Sequence, residues 1–200
     1  GLDWIGCVDH TLELSASVIT SFPGIKDLII KTKALVAHIR SSSVITKLIE
    51  DWYKSRSLTP KRVLKNSETR WWSLFTLCER VVAMKMPIQG LFSTKEIPSC
   101  LEIFENEWQL LEEISVVMKP FKTAQMFLEG SKYCTMSFVP AHIYFIKEHL
   151  GKVRNSMHTS PLIKNAIIAL LTDMHKRWYT KVWSKVIFLA CALDPRTKSL

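Results

Sequence analysis

The stretch Glu68-Thr69-Arg70-Trp71-Trp72-Ser73-Leu74-Phe75-Thr76-Leu77-Cys78-Glu79-Arg80-Val81-Val82 decides the fold class. Trp71, Leu74, Phe75, Cys78, Val81 and Val82 recur at i, i+3, i+4 and i+7, the period of one helix face. A half-buried strand would alternate at every second residue, and this stretch does not. The start of the same pattern carries chemistry. Arg70 offers planar, bidentate hydrogen bonds that suit phosphate. Trp71 offers a ring face for an unstacked base. The competing reading makes Trp71 a core residue at a helix start and Arg70 a surface charge, because large aromatics dominate core energetics.

The helical period extends in both directions from this stretch. Upstream, Leu12, Leu14, Val18 and Ile19 follow His10 at helical spacing until Pro23-Gly24 breaks the pattern. Ile25, Leu28, Ile29, Leu35, Val36 and Ile39 form the next face, with Lys26, Lys33 and Arg40 opposite. Ser43 is read as the cap of a helix carrying Val44, Ile45, Leu48, Ile49, Trp52 and Tyr53. Downstream, Pro87 and Gly90 are expected to end the Trp71 helix. Pro98 is expected to open a long helix through Leu101, Phe104, Trp108, Leu111 and Met118, with a second apolar row through Ile103, Leu110, Ile114, Val117 and Phe121. Pro120 should kink or break it. Thr135 to His149 and Leu162 to Trp178 predict two more helices. Leu2 to Val8 suits a buried strand, though seven residues do not separate strand from helix, and Val186 to Leu193 fits either helix or strand. Asp194-Pro195 suits a helix cap followed by Pro at the first helical position. The expected fold is mainly α, with at most one or two strands at the chain ends.

Charge narrows the partner. The chain has 27 Lys and Arg against 18 Asp and Glu, a net charge of +9 with a pI near 9.4, which favours nucleic acid or another acidic surface. Six of the acidic residues crowd between Glu96 and Glu113, so the remainder is more basic still. Lys54, Arg56, Lys61, Arg62, Lys65 and Arg70 face only Glu68 in a stretch that contains Pro60 and lacks apolar period. It reads as a basic loop feeding the Arg70-Trp71 helix start, or as a solvated loop with incidental charge. Lys176, Arg177, Lys181 and Lys185 read as a solvated helix face. The apolar runs are too short to span a membrane. Five Cys without a C-x-x-C pair suit buried free thiols in a reducing compartment.

Four short segments occur in a telling order: Cys7-Val8-Asp9-His10-Thr11-Leu12-Glu13-Leu14, then Thr69-Arg70-Trp71, then Lys119-Pro120-Phe121 with Thr123, Tyr133 and Thr135, then Leu193-Asp194-Pro195-Arg196. In that order they resemble the hAT superfamily of DNA transposases and its domesticated BED-zinc-finger relatives. The resemblance implies a nuclear, DNA-binding, transposase-like protein with a ribonuclease-H-like core and a large helical insertion. It implies that residues 1–22 are the last strand and following helix of that core. Residues 23–193 would be the all-α insertion, and residues 194–200 the start of the return segment. It also implies an Asp/Asp/Glu triad holding Mg²⁺ or Mn²⁺, with both Asp upstream of this chain and the Glu downstream. Asp3, Asp9 and Asp194 do not match those positions. The chain is therefore expected to be a fragment without catalytic residues or a cofactor of its own, and inactive alone. DNA would be contacted by His10, Lys61, Arg62, Lys65, Arg70 and Trp71, and an absent C-terminal segment would carry any homo-oligomer contact.

Other catalytic patterns are missing. No G-x-G-x-x-G, Walker-type loop, H-E-x-x-H or G-x-S-x-G occurs. Cys7 and His10 have ligand types that zinc takes, but a structural site needs four, and no second pair has suitable spacing. The other readings make them a buried thiol with a helix-start His, or, by the resemblance, a His donating to DNA phosphate. Asp9 and Glu13 beside His10 would repel that phosphate.

Overall fold

The computed structural model describes residues 6–63, 72–130, 133–182 and 184–197. Among them the protein is mainly helical, with nine α-helices, two short 3-10 turns and no strand. The helices are α1 (Val8–Thr20), α2 (Ile25–Ser41), α3 (Ser43–Lys54), α4 (Trp72–Val82), α5 (Lys85–Ser93), α6 (Glu105–Leu128), α7 (Val139–Asn155), α8 (Pro161–Val182) and α9 (Lys185–Leu193). The 3-10 turns are Ser99–Leu101 and Met136–Phe138. Among the described residues no helix is long and apolar enough to cross a membrane.

The chain divides into two compact units. One joins Gly1–Phe22 to Val116–Leu200, and the other is Pro23–Ser115. The stretch 23–193, expected as a single insertion, is thus shared between them. In the first unit α1 packs on α8, and α8 on α7. Leu12, Ile19, Phe121, Leu150, Leu170 and Trp178 are fully buried there. The α1 face differs from the expected Leu14 and Val18 stripe, because Thr11 and Ser15 are buried instead. Both have partners: the Lys181 ammonium donates to Thr11 Oγ1 at 2.8 Å, and the Trp178 indole N–H to Ser15 Oγ at 3.2 Å. A buried polar group is tolerated when it is hydrogen-bonded.

In the Pro23–Ser115 unit, Leu35, Ile39, Ile49, Cys78, Val81, Ile88, Trp108 and Leu111 form one core. Gly24 sits at φ 81°, a left-handed conformation that side chains disfavour, and this turns the chain into α2. Ser42, not Ser43, caps α3: its Oγ accepts the Ile45 N–H at 3.2 Å. Val44, expected on the apolar stripe, is consequently 62% exposed. At the start of α6, the Glu107 carboxylate accepts the Phe104 N–H at 2.8 Å and the Lys31 ammonium at 2.7 Å.

Four expectations at prolines and chain ends need correction. Pro87 and Gly90 do not end a helix but lie inside α5; Pro87 is in its first turn, where no intrahelical N–H is needed. Pro98 precedes a 3-10 turn, and the long helix starts later, at Glu105. That helix runs through Pro120 without a break. The described end of the stretch Leu2 to Val8 forms no strand: Gly6 has φ 72° and, after Cys7, Val8 already begins α1. Val186 to Leu193 is helical, with Ser184 Oγ capping the Ile187 N–H.

Candidate nucleic-acid interface

The basic loop starts where α3 stops. The Leu58 N–H returns to the Tyr53 carbonyl at 3.0 Å and Ser57 takes φ 54°, so the chain reverses there. Residues Lys61, Arg62 and Val63 then lie beside α2 and α3. With Ile39, Arg40, Thr46, Ile49, Glu50 and Met84 they line a cleft of about 310 Å³. Ile39, Ile49 and Met84 are buried and make an apolar floor. Arg40, Lys61 and Arg62 are exposed cations at its edge, and among the described residues Glu50 is the single carboxylate in the lining. Arg62 Nε and Nη2 donate to Glu50 Oε1 at 3.0 and 2.7 Å. The Arg62 side chain is 76% exposed, so this pair is worth at most about 1 kcal/mol and an incoming phosphate can displace it.

The structure thus brings together Lys61 and Arg62, two of the sequence-predicted contacts. It adds Arg40, which sequence reasoning had placed only on the polar face of α2. The signal available was the seven-residue spacing of Lys26, Lys33 and Arg40. Lys65, Arg70 and Trp71 lie outside the described residues, as does the whole Thr69-Arg70-Trp71 segment. The other loop cations have local partners. Lys54 Nζ is 3.9 Å from Asp51, and the Arg56 guanidinium lies 4.2 Å from the Trp52 ring centre.

His10 belongs to the first unit, on α1. Its Nδ1 is 3.2 Å from Glu13 Oε2. A carboxylate only accepts, so this nitrogen donates and only Nε2 is left for a phosphate. Asp9 is half-buried; burial raises its carboxyl above the ordinary carboxylate range, with Glu129 and Glu13 adding to the rise and His10 opposing it. The acidic surroundings make His10 a poor anion contact.

Asp194 is held in a hydrogen-bonded turn. Its Oδ1 accepts the Arg196 backbone N–H at 3.0 Å and Nε at 2.9 Å, and its Oδ2 accepts Arg196 Nη2 at 2.7 Å and Ser137 Oγ at 2.5 Å. Arg196 Nη2 also donates to the Cys134 carbonyl at 2.9 Å. These bonds tie Asp194-Pro195-Arg196 to the turn after Tyr133. They hold the Asp194 carboxyl far below its usual range, the Arg196 and Ser137 hydrogen bonds being the main causes. In the described residues Asp194 ends α9 and opens a turn instead of capping a new helix. Of the second basic cluster, Arg177 pairs with Asp173 and Lys181 bonds Thr11, while Lys176 and Lys185 are exposed.

Among the described residues no group of three or more His, Cys, Asp or Glu is placed to hold a metal ion. Comparison with protein-family models, with curated proteins and with solved structures finds no match for this chain.

Proposed function

We propose that this chain is the DNA-binding portion of a hAT-type, transposase-like nuclear protein, with its helical part gripping DNA through the basic loop. The observation that supports this best is the cleft where, among the described residues, Arg40, Lys61 and Arg62 converge around the one carboxylate of Glu50. Cations gathered on one face release counterions when they meet a phosphate backbone, and this supplies most non-specific affinity. On this reading Lys65 and Arg70 extend the cationic track and Trp71 stacks on an exposed base. On this reading residues 1–22 belong to the ribonuclease-H-like core, and no catalytic step and no Mg²⁺ or Mn²⁺ is assigned to this chain. A non-catalytic scaffold descended from such a protein would use the same cleft. The adjoining carboxylates would separate the two.

The test is a DNA titration over a salt series, comparing the chain with variants at Arg40, Lys61 and Arg62. Affinity that is independent of salt, or untouched by these substitutions, would reject the proposal.

A further inference from the structure

The segment Lys119-Pro120-Phe121-x-Thr123 takes no part in that cleft, yet it helps to form a groove of its own in the first unit. Phe121 is buried in the core. Lys119, Pro120 and Thr123 line a groove of about 400 Å³ together with His142, Phe145, Ile146 and His149 from α7. Among the described residues the lining holds one ammonium, two imidazoles and a hydroxyl, and no carboxylate. The volume lies within the range of small-ligand sites.

Each polar group has a defined state. Pro120 has no N–H, so the Val116 carbonyl one turn back lacks its helical donor. His149 Nε2 lies 2.8 Å from that carbonyl and must carry a proton to bond it. His149 is thereby a strut between α6 and α7. The His142 ring leans on Phe127, centroids 4.9 Å apart, and its nitrogens bond no protein group among the described residues. Burial lowers the His142 pKa and so favours the neutral ring, which keeps one N–H donor. Phe145, on the His142 face of α7, is 64% exposed. Phe145, edge-on to Tyr144 at 5.9 Å, keeps most of its ring exposed, and among the described residues Lys119 has no carboxylate partner and His142 an unbonded N–H; a nucleotide satisfies that set with phosphate on the donors and base on the ring.

We propose that the α6–α7 groove binds one nucleotide unit of a single-stranded nucleic acid, its phosphate on Lys119 and His142 and its base against Phe145. This site lies in the other unit from the Arg40 cleft and stands or falls separately from it. The experiment uses the full chain with a ¹⁵N-labelled background. It follows the imidazole resonances of His142 and the anisotropy of a fluorescein-labelled thymidine decanucleotide, with thymidine monophosphate as the second ligand. The decanucleotide should shift the His142 resonances, including in an Arg40→Ala, Lys61→Ala variant. Phe145→Ala should weaken decanucleotide binding about fivefold or more in that same background. Phe145→Leu keeps the apolar bulk and should weaken it too, and Lys119→Gln should reduce the salt dependence. Unmoved His142 resonances at saturation, or unchanged affinity in Phe145→Leu and Lys119→Gln, would overturn the proposal. Equal shifts with thymidine monophosphate would reject a strand site in favour of a free-nucleotide site.

Discussion

His149 Nε2 lies 2.8 Å from the backbone carbonyl of Val116, the acceptor that Pro120 leaves without a helical partner. A proline inside a helix usually bends it, because the i−4 carbonyl loses its donor and meets the ring. Here α6 continues for two more turns, to Leu128. The replacement donor comes from α7, so the bond also couples the two helices.

A double-mutant cycle measures that coupling. His149→Ala should destabilise the fold by about 1 kcal/mol, the net worth of one hydrogen bond. Pro120→Ala restores an N–H at the right position. In that background His149→Ala should cost less than half as much. Equal costs in both backgrounds, read from urea unfolding, would show that His149 does not compensate for the proline.

Asp194 predicts a pH dependence. Its folded pKa is depressed, so its contribution to stability is present above the unfolded carboxylate value of about 4 and is lost as pH falls below it. The unfolding midpoint of Asp194→Asn should therefore lie below that of the wild type at pH 7. The gap should narrow as the pH drops from about 4 toward 2. A gap that widens in acid would contradict the hydrogen-bonded arrangement with Arg196 and Ser137.

Thiol chemistry reports on the Pro23–Ser115 unit. Burial pushes the Cys78 thiol up to about 12, and Cys78 lies in the core beside Val81 and Ile88. It should resist a disulfide reagent until that unit opens, because the thiolate is the nucleophile. Cys7, Cys100 and Cys134 are exposed and should react first. Mass mapping of a labelling time course would settle the order. Early modification of Cys78 would contradict its burial.

Sequence pattern reached most of the helices because their burial is periodic. The stripes of α2 and α8 follow the 3.6-residue repeat, and Leu35, Ile39, Ile167 and Leu170 are buried as that repeat requires. The misreadings have non-local or positional causes. Pro120 looks like a breaker in its own window, and its remedy, His149, lies 33 residues beyond the carbonyl it serves. Pro87 signals an end only if it sits mid-helix; in a first turn it costs no hydrogen bond. The eight apolar residues from Val186 do not separate strand from helix by period, and the Ser184 cap favours the helix. At the cleft, Lys61 and Arg62 were legible as loop cations. Arg40 and Glu50 were not, because they join them only when the chain turns back at Ser57. Exposed Phe145 and unbonded His142 left no mark in the sequence, since their meaning depends on the α6–α7 packing.

The most direct measurement is DNA affinity against salt for the wild type, for Arg40→Ala with Lys61→Ala and Arg62→Ala, and for Glu50→Gln. Three cations meeting three phosphates contribute about −2.7 to the slope of log affinity against log salt. The account predicts a wild-type slope at least that steep, a loss of about that much in the triple variant, and tighter binding in Glu50→Gln, where Arg62 is released and the cleft loses the negative charge of Glu50. A wild-type slope near zero, or a triple variant that binds DNA as the parent chain does, would contradict it.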